Sequence, residues 1–275
     1  MRVNSARDRT VHGTMSRVSD AGSPSLANPD YWWYRVRSEL LELTLRDLVG
    51  DGHSPPQSIL DLGSADGPSV GWLRERGHRV GMDIDPRGLR VGDVCGSAMD
   101  LPFAPGSFDV VAAFDVIEHC EPEARVLAEV NRVLRPGGRF VMSVPAYAWA
   151  WTAHDVHNGH HRRYTKRRAV DAVTRAGFDV ERATYIFAGT FPVFAADRIR
   201  RRVTERGARA VVPSPDSVAS LPEVSPLAER VLAGLSSIDR RLLARGDLPF
   251  GSSVVIAAAK PGRQEPDDEG DAHEV

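Results

Sequence analysis

The sequence predicts an α/β domain whose sheet is doubly wound and mainly parallel. Short apolar runs typical of strands alternate with helical patterns along most of the chain. Several of these runs are continuous, as in strands that helices cover on both faces. A chain of 275 residues can also bury a sizeable core. We therefore expect one main domain with helices on both faces of its sheet.

Seven runs are strand candidates, and they occur in the order SILDLG, HRVGMDID, GDVCG, SFDVVAAFDV, RFVMSVPA, DVERATYIFA and SSVVIAAAK. Only PRGLRV separates the second run from the third. This is shorter than the roughly ten residues that a crossover helix usually needs. The second crossover is therefore predicted to lack a full helix.

Helical patterns lie between and around these runs. Aromatic and leucine residues recur at helical spacing over residues 30–49, until Gly50. Another helix is predicted in PSVGWLRERG, with Pro68 at its first position, and a third in EPEARVLAEVNRVLRPGG, which ends at Pro-Gly-Gly. A fourth begins at the cap Thr165, after an insertion, YAWAWTAHDVHNGHHRRY, that follows the fifth strand. Residues 192–245 contain two more helical patterns around a turn-rich stretch.

We expect the folded domain to cover residues 29–262, with a core over 57–190 and a last strand over 252–260. Residues 1–28 and the acidic tail 263–275 are predicted to be disordered, because both are polar.

Composition excludes several classes of function. The net charge of −2 gives no general attraction to nucleic acid. The sequence contains no run of about 18 apolar residues, so it predicts no transmembrane segment. Two cysteines and the lack of an apolar leader favour the cytoplasm. The oligomeric state is left open.

The candidate chemical residues follow the predicted strands, where ligands bind in an open parallel sheet. In DLGSADG, Asp61 ends the first strand, and Gly63 and Gly67 bracket a turn. This turn alone is equally typical of an ordinary strand-to-helix connection. In GMDID, Asp83 ends the second strand about 20 residues later, where an acid accepts hydrogen bonds from ribose hydroxyls.

The first turn departs from the glycine pattern of dinucleotide sites. At the three positions of G-x-G-x-x-G the chain has Gly63, Ala65 and Pro68. A well-formed pyrophosphate cradle is therefore missing. The combination indicates a cofactor that has a ribose but no pyrophosphate.

Five motifs in order, DLGSADG, GMDID, AMDLPFAPGSFDVV, FDVIEH and LRPGGRFVMSVP, resemble the class I S-adenosylmethionine-dependent methyltransferases. The resemblance covers roughly residues 55–185 and is strongest to a small-molecule branch similar to quinone-biosynthesis methyltransferases. It implies a seven-stranded Rossmann-like sheet, an N-terminal helical lid and S-adenosylmethionine as cofactor. It also implies methyl transfer to a small or lipid-linked acceptor, with oxygen as the favoured atom.

The resemblance also implies individual cofactor contacts. Asp83 would hold the ribose, Ile84 would lie against the adenine, and Gly63 would let the backbone approach the ligand. Ala65 stands where the family usually has a glycine, and Ser97 where an acid often contacts the adenine amine. The full set of expected contacts is Asp61, Gly63, Ser64, Gly67, Asp83, Ile84, Ser97, Ala98, Met99, Phe114 and Asp115.

His119, after the fourth strand, is the candidate general base for an acceptor hydroxyl. A histidine that is hydrogen-bonded near a helix start is the equally weighted alternative. Glu118, His119 and Glu121 could instead gather a divalent cation. We do not predict a metal, because three adjacent polar residues rarely point at one centre and no more distant ligand is evident. The histidines of the insertion lack the pattern of a zinc site.

Acceptor recognition is expected from the lid helix and the insertion, which close over the acceptor in the family that the chain resembles. Arginines there suit a carboxylate or a phosphate. The candidate acceptor-binding residues are Tyr34, Arg37, His154, His160, Arg162, Arg163 and Tyr164. Residues 184–203 are apolar and then basic, which suits weak association with a membrane surface, a hydrophobic acceptor pocket or an ordinary helix equally well.

Two other functions stay open. A nicotinamide-dependent oxidoreductase would share the fold and the ribose acid, although it would need a pyrophosphate loop. A non-catalytic protein with the same fold is the second alternative, because Ala65 and Ser97 depart from the family pattern.

Overall fold

The structure is a computed structural model that describes residues 30–49, 57–204 and 224–262. The segments predicted to be disordered, 1–28 and 263–275, lie outside the described residues. So does the turn-rich part of the variable region, 205–223.

The sheet has seven strands in the order β3-β2-β1-β4-β5-β7-β6. The first five strands of the chain run parallel, and β7 pairs antiparallel with both β5 and β6. The predicted seven-stranded, mainly parallel sheet is confirmed. The strands are β1 (Gln57–Leu62), β2 (Gly77–Asp83), β3 (Val94–Cys95), β4 (Phe108–Phe114), β5 (Leu134–Pro145), β6 (Asp179–Ile186) and β7 (Ser253–Ala259).

The strand order reverses at β1, which has β2 on one side and β4 on the other. Leu62, at the end of β1, pairs with Met82 of β2 and with Ala113 of β4. The carboxyl ends of these strands therefore meet at one edge of the sheet. This reversal point is where open α/β sheets bind their ligands.

Six α-helices lie in the described part of the chain: α1 (Trp32–Val49), α2 (Glu123–Val133), α3 (Ala153–His157), α4 (Lys166–Arg175), α5 (Phe191–Thr204) and α6 (Pro226–Leu243). The predicted N-terminal helix is α1, and it buries Leu40, Leu41 and Leu45 completely. It packs against α6 and against the helix that follows β1. No helix in the described residues is both long and apolar enough to cross a membrane.

The helix after β1 differs from the prediction. It is a 3₁₀ helix over Ser64–Glu75, so it begins before the predicted start at Pro68. Gly63, with a left-handed φ of 70°, turns the chain directly into it. The second crossover holds only a short 3₁₀ turn, Pro86–Gly88, as its length predicts.

The insertion after β5 is closed at its base. The N–H of Tyr147 donates to the carbonyl of Tyr164 at 2.7 Å, and the N–H of Tyr164 donates to the carbonyl of Pro145 at 2.9 Å. Within it, Asp155 accepts from the N–H of Thr152 at 2.9 Å and caps α3. The helix α4 then begins at the predicted cap, Thr165, whose hydroxyl accepts from the N–H of Arg168 at 3.2 Å.

Candidate active site

A cavity of about 1050 Å³ opens at the carboxyl ends of β1, β2 and β4. Its other walls come from α1, from the insertion after β5 and from α5. Pockets for one small molecule span roughly 300–1,000 Å³. The volume is therefore sufficient for a cofactor and a second small molecule.

Gly63 lies on the wall between β1 and β4. Its N–H donates to the carbonyl of Met82 at 2.8 Å. A Cβ at this position would collide with Cγ2 of Val116, and the φ of 70° is itself unfavourable for other residues. A glycine is therefore the residue that this turn accommodates without strain, and its bare backbone lines the cavity.

Asp83 lines the cavity at the end of β2. Its Oδ1 accepts from the N–H of Asp85 at 2.8 Å, which holds the carboxylate in place. The neighbouring Ile84 also lines the cavity. It is large and apolar, yet 74% of its surface is exposed. Ala98 and Met99 also line this end. A carboxylate that can accept hydrogen bonds, beside an apolar surface, suits a ribose joined to a planar base.

Ser97 lines the cavity as well, and its hydroxyl accepts from the N–H of Met99 at 3.2 Å. Asp61 and Ser64 are buried and do not line the cavity. The carboxylate of Asp61 pairs with Arg79, at 2.7 Å from Nη2. The predicted contact Gly67 belongs to the stretch 65–70, whose surroundings are outside the described part of the structure.

The lid helix is joined to the end of β4 by a buried ion pair. Arg37 of α1 lies 2.8 Å from Asp115, and its side chain is 3% exposed. Asp115, with a left-handed φ of 56°, also accepts from the hydroxyl of Ser143 at 3.1 Å. Tyr34, Arg37, Phe114 and Asp115 all line the cavity. The predicted contacts from α1 and β4 therefore lie on one wall.

Glu118, His119 and His160 form a cluster on the floor of the cavity. One donor atom from each residue lies within 4.8 Å of the others. The rings of His119 and His160 meet edge to face, with centroids 4.6 Å apart. Glu118 is fully buried, and neither carboxylate oxygen has a hydrogen-bond partner among the described residues. Burial, and then the nearby charge of Asp115, raise the pKa of Glu118 well above its usual value.

His119 faces this cavity. The surrounding protein replaces much of the water around its ring, and this desolvation, with the neighbouring His160, lowers the pKa of His119 to about 4. The imidazole is therefore neutral near pH 7. A neutral imidazole can accept a proton or offer a lone pair to a metal ion.

A buried carboxylate orders the insertion beside this cluster. Asp155 is fully buried, and its Oδ1 lies 2.7 Å from Nε of Arg163 and 2.9 Å from Nδ1 of His160. Hydrogen bonds from His160 and Arg163 outweigh the cost of burial and hold the pKa of Asp155 well below its usual value. Three of the residues predicted to bind the acceptor line the cavity here, namely His154, His160 and Arg163.

Arg162 and Tyr164 do not line the cavity. The guanidinium of Arg162 donates to the carbonyl of Cys120 at 2.8 Å and pairs with Glu121 and Glu123. The hydroxyl of Tyr164 donates to Glu123 at 2.5 Å. Both side chains fasten the insertion to the turn after β4.

No individual contact on α5 was predicted from the sequence, although a hydrophobic acceptor pocket was one of three interpretations of residues 184–203. Phe194, Asp197, Arg198 and Arg201 line the cavity from this helix. Nη1 of Arg198 donates to the hydroxyl of Thr152 at 2.8 Å, which ties α5 to the insertion. The four residues follow helical spacing in FPVFAADRIRRRV, and this periodicity was the available signal.

Residues 60–142 match the family model described as a methyltransferase domain. The chain is also 28% identical over 193 residues to a Mycolicibacterium smegmatis protein named "Probable S-adenosylmethionine-dependent methyltransferase", covering 66% of this chain and 72% of that one. The chain contains a class I S-adenosylmethionine-dependent methyltransferase domain. The predicted family, enzyme class and cofactor are thereby confirmed.

Other relatives match more narrowly. A demethylmenaquinone methyltransferase of Beutenbergia cavernae is 36% identical over 109 residues, covering 35% of this chain and 45% of that one. The methyltransferase thus spans less than half the length of that relative. Geranyl diphosphate methyltransferase, solved in complex with S-adenosylmethionine, is 15% identical with a TM-score of 0.52, over 81% of this chain and 85% of that chain. That likeness shows the shared fold.

Proposed function

We propose that the methyltransferase transfers a methyl group from S-adenosylmethionine to an oxygen atom of a small or lipid-linked acceptor. One observation carries the proposal. A single cavity extends from Asp83, at the end of β2, to His119 and His160 beside the insertion. The residues suited to the cofactor and those suited to an acceptor therefore share one space.

The residues at the strand ends fit the cofactor. Asp83 would accept hydrogen bonds from the ribose hydroxyls, and Ile84 and Met99 would lie against the adenine. The bare backbone of Gly63 and the wall formed by Phe114 and Asp115 leave room for the methionine portion. When bound, S-adenosylmethionine supplies an electrophilic methyl group on its sulfonium. The chain's own part is to align the acceptor with this methyl group and to exclude water.

The acceptor is proposed to lie between the insertion and α5. Three arginines line this side: Arg163 pairs with Asp155 and Arg201 with Asp197, whereas Arg198 bonds to the hydroxyl of Thr152. The charge of Arg198 suits an acceptor with a carboxylate or a phosphate. The cluster around His119 would remove the proton from the acceptor oxygen. The relative named for demethylmenaquinone supports a small acceptor. The ring of Phe194, on α5, lines the cavity, which supports an acceptor with an apolar part.

Titration calorimetry tests the cofactor assignment. The full chain should bind S-adenosylhomocysteine and not NAD. The substitution Asp83→Ala should weaken binding at least about tenfold, because it removes charge-assisted hydrogen bonds worth about 1.5–3 kcal/mol each. Asp179→Ala is the matched control, since Asp179 is exposed on β6 and away from the cavity. No binding of S-adenosylhomocysteine, or tighter binding of NAD, would refute the proposal.

Transfer of labelled methyl groups tests the acceptor. Cell extracts fractionated by charge and polarity should yield a labelled product from the anionic or lipid-like fractions. Mass spectrometry of the product then distinguishes an O-methyl from an N-methyl or C-methyl group. Binding of S-adenosylhomocysteine without transfer to any fraction would support a non-catalytic role instead.

A further inference from the structure

The cluster of Glu118, His119 and His160 combines residues that lie far apart in the chain. Glu118 and His119 belong to a 3₁₀ turn directly after β4, whereas His160 comes from the insertion after β5. The N–H of His161 donates to the carbonyl of Glu118 at 2.8 Å and holds the two segments together. The donor atoms of the three residues lie within 4.8 Å of one another. Donor atoms this close together can share one ion, to which each would bond at about 2.0–2.2 Å.

The carboxylate of Glu118 needs a partner that the described residues do not provide. It is fully buried, and both of its oxygens are without a hydrogen bond there. Arg37 and Arg163 lie near enough to favour its charged form. However, Arg37 pairs with Asp115 and Arg163 with Asp155. A buried carboxylate without compensation is costly, and a bound cation would compensate it.

The orientation of His160 is the second indication. Its Nδ1 lies 2.9 Å from Oδ1 of Asp155. Since Asp155 is a buried carboxylate that also pairs with Arg163, Nδ1 of His160 donates to it, and Nε2 is the ring nitrogen left to face a ligand. A carboxylate that accepts from the far side of an imidazole is the usual support of a metal-binding histidine.

The sequence prediction of no metal assumed a different third ligand. Glu121, the adjacent candidate, is paired with Arg162, and its side chain is 59% exposed. His160, from the insertion, supplies the third donor atom instead. Two imidazoles and one carboxylate suit a first-row transition metal better than Mg²⁺ or Ca²⁺, which prefer oxygen ligands.

We propose that Glu118, His119 and His160 bind one divalent cation of the Mn²⁺, Co²⁺ or Zn²⁺ class, with its open coordination positions facing the acceptor side of the cavity. This inference rests on the proposed function and deepens it. The acceptor hydroxyl binds the ion and releases its proton to water more easily. The oxygen then uses a lone pair to form the O–CH₃ bond, while the electrons of the S–CH₃ bond stay on sulfur. In this arrangement His119 holds the ion and does not itself take the proton.

Direct metal binding tests the site without any methyl transfer. The full chain, prepared without a histidine tag and freed of metal by a chelator, is titrated with Co²⁺ while the visible absorption of protein-bound Co²⁺ is recorded. We expect saturation at one ion per chain. Glu118→Gln and His160→Ala should each weaken binding at least about tenfold, while His157→Ala, in the same insertion but outside the cluster, should leave it unchanged.

Far-UV circular dichroism and thermal unfolding identify any variant that has lost its fold, and His119→Ala provides a third variant in that event. Equal Co²⁺ affinity in the wild type, Glu118→Gln and His160→Ala would overturn the metal site, as would no saturable binding to the wild type. Titration of the same samples with S-adenosylhomocysteine separates the two proposals. Cofactor binding without metal binding overturns this inference alone, and metal binding without cofactor binding overturns the proposed function alone.

Discussion

The two halves of the cavity are held in place in different ways. In the cofactor half, formed by residues 63, 83–84 and 97–99, the polar side chains make local hydrogen bonds. Asp83 accepts from Asp85 two residues later, and Ser97 accepts from Met99. In the acceptor half, formed by the cluster of Glu118, His119 and His160, the insertion and α5, the contacts join distant segments. Examples are the bonds of Arg162 to Cys120 and of Arg198 to Thr152.

The structures of the two halves are therefore determined by different features of the sequence. The cofactor half follows from backbone conformation at strand ends, where a glycine or a short polar side chain sets the turn. The acceptor half follows from buried charges that must find partners once the insertion folds back. We therefore expect substitutions in the acceptor half to leave cofactor affinity unchanged in the folded protein, and substitutions in the cofactor half to weaken it.

The largest effect is expected for Asp155→Ala. Removing this carboxylate leaves the buried guanidinium of Arg163 without its ion-pair partner, which typically costs about 3–5 kcal/mol. Unfolding in urea, followed by circular dichroism, measures the loss. The control is Asp47→Ala, because Asp47 is 87% exposed and its pairing with Arg46 should contribute at most about 1 kcal/mol. Equal losses in the two variants would contradict the difference between the halves.

Gly63→Ala tests the cofactor half. A left-handed alanine costs about 1–2 kcal/mol, and the conflict with Val116 adds about 1–3 kcal/mol of packing strain. Stability should fall by about 2–5 kcal/mol in total, and calorimetry should show weaker binding of S-adenosylhomocysteine. Adding Val116→Ala should recover the packing part only. Gly71→Ala is the control, because a Cβ there meets nothing within 4 Å, and a normal affinity in Gly63→Ala would argue against backbone approach at this turn.

The smallest effect on stability is expected for Arg198→Ala. It removes a hydrogen bond to Thr152 and the contact of the guanidinium with the ring of Phe194, at 5.0 Å from its centroid. Unfolding in urea should show a loss of about 1 kcal/mol. The affinity for S-adenosylhomocysteine should stay unchanged, whereas the KM for the acceptor should rise. Arg167→Ala, at an exposed position on α4, is the control, and a large loss of cofactor affinity in Arg198→Ala would contradict the division into halves.

The sequence by itself determined the sheet and much of the cofactor half. Apolar runs and turn residues are local signals, so they predict all seven strands and place Gly63 and Asp83 at strand ends. The 3₁₀ form of the helix after β1 was not predictable from them, because apolar periodicity does not distinguish such a helix from an α-helix.

Tertiary structure alone decided how the side chains of the acceptor half pair with one another. No periodic pattern runs through the insertion, so nothing in the sequence indicates that His160 meets Glu118 and His119 while Arg162 and Tyr164 turn towards Glu123. These directions are set when buried charges select their partners across the folded chain. The physical reason is that backbone conformation is largely a property of neighbouring residues, whereas the pairing of buried charges depends on which segments fold together.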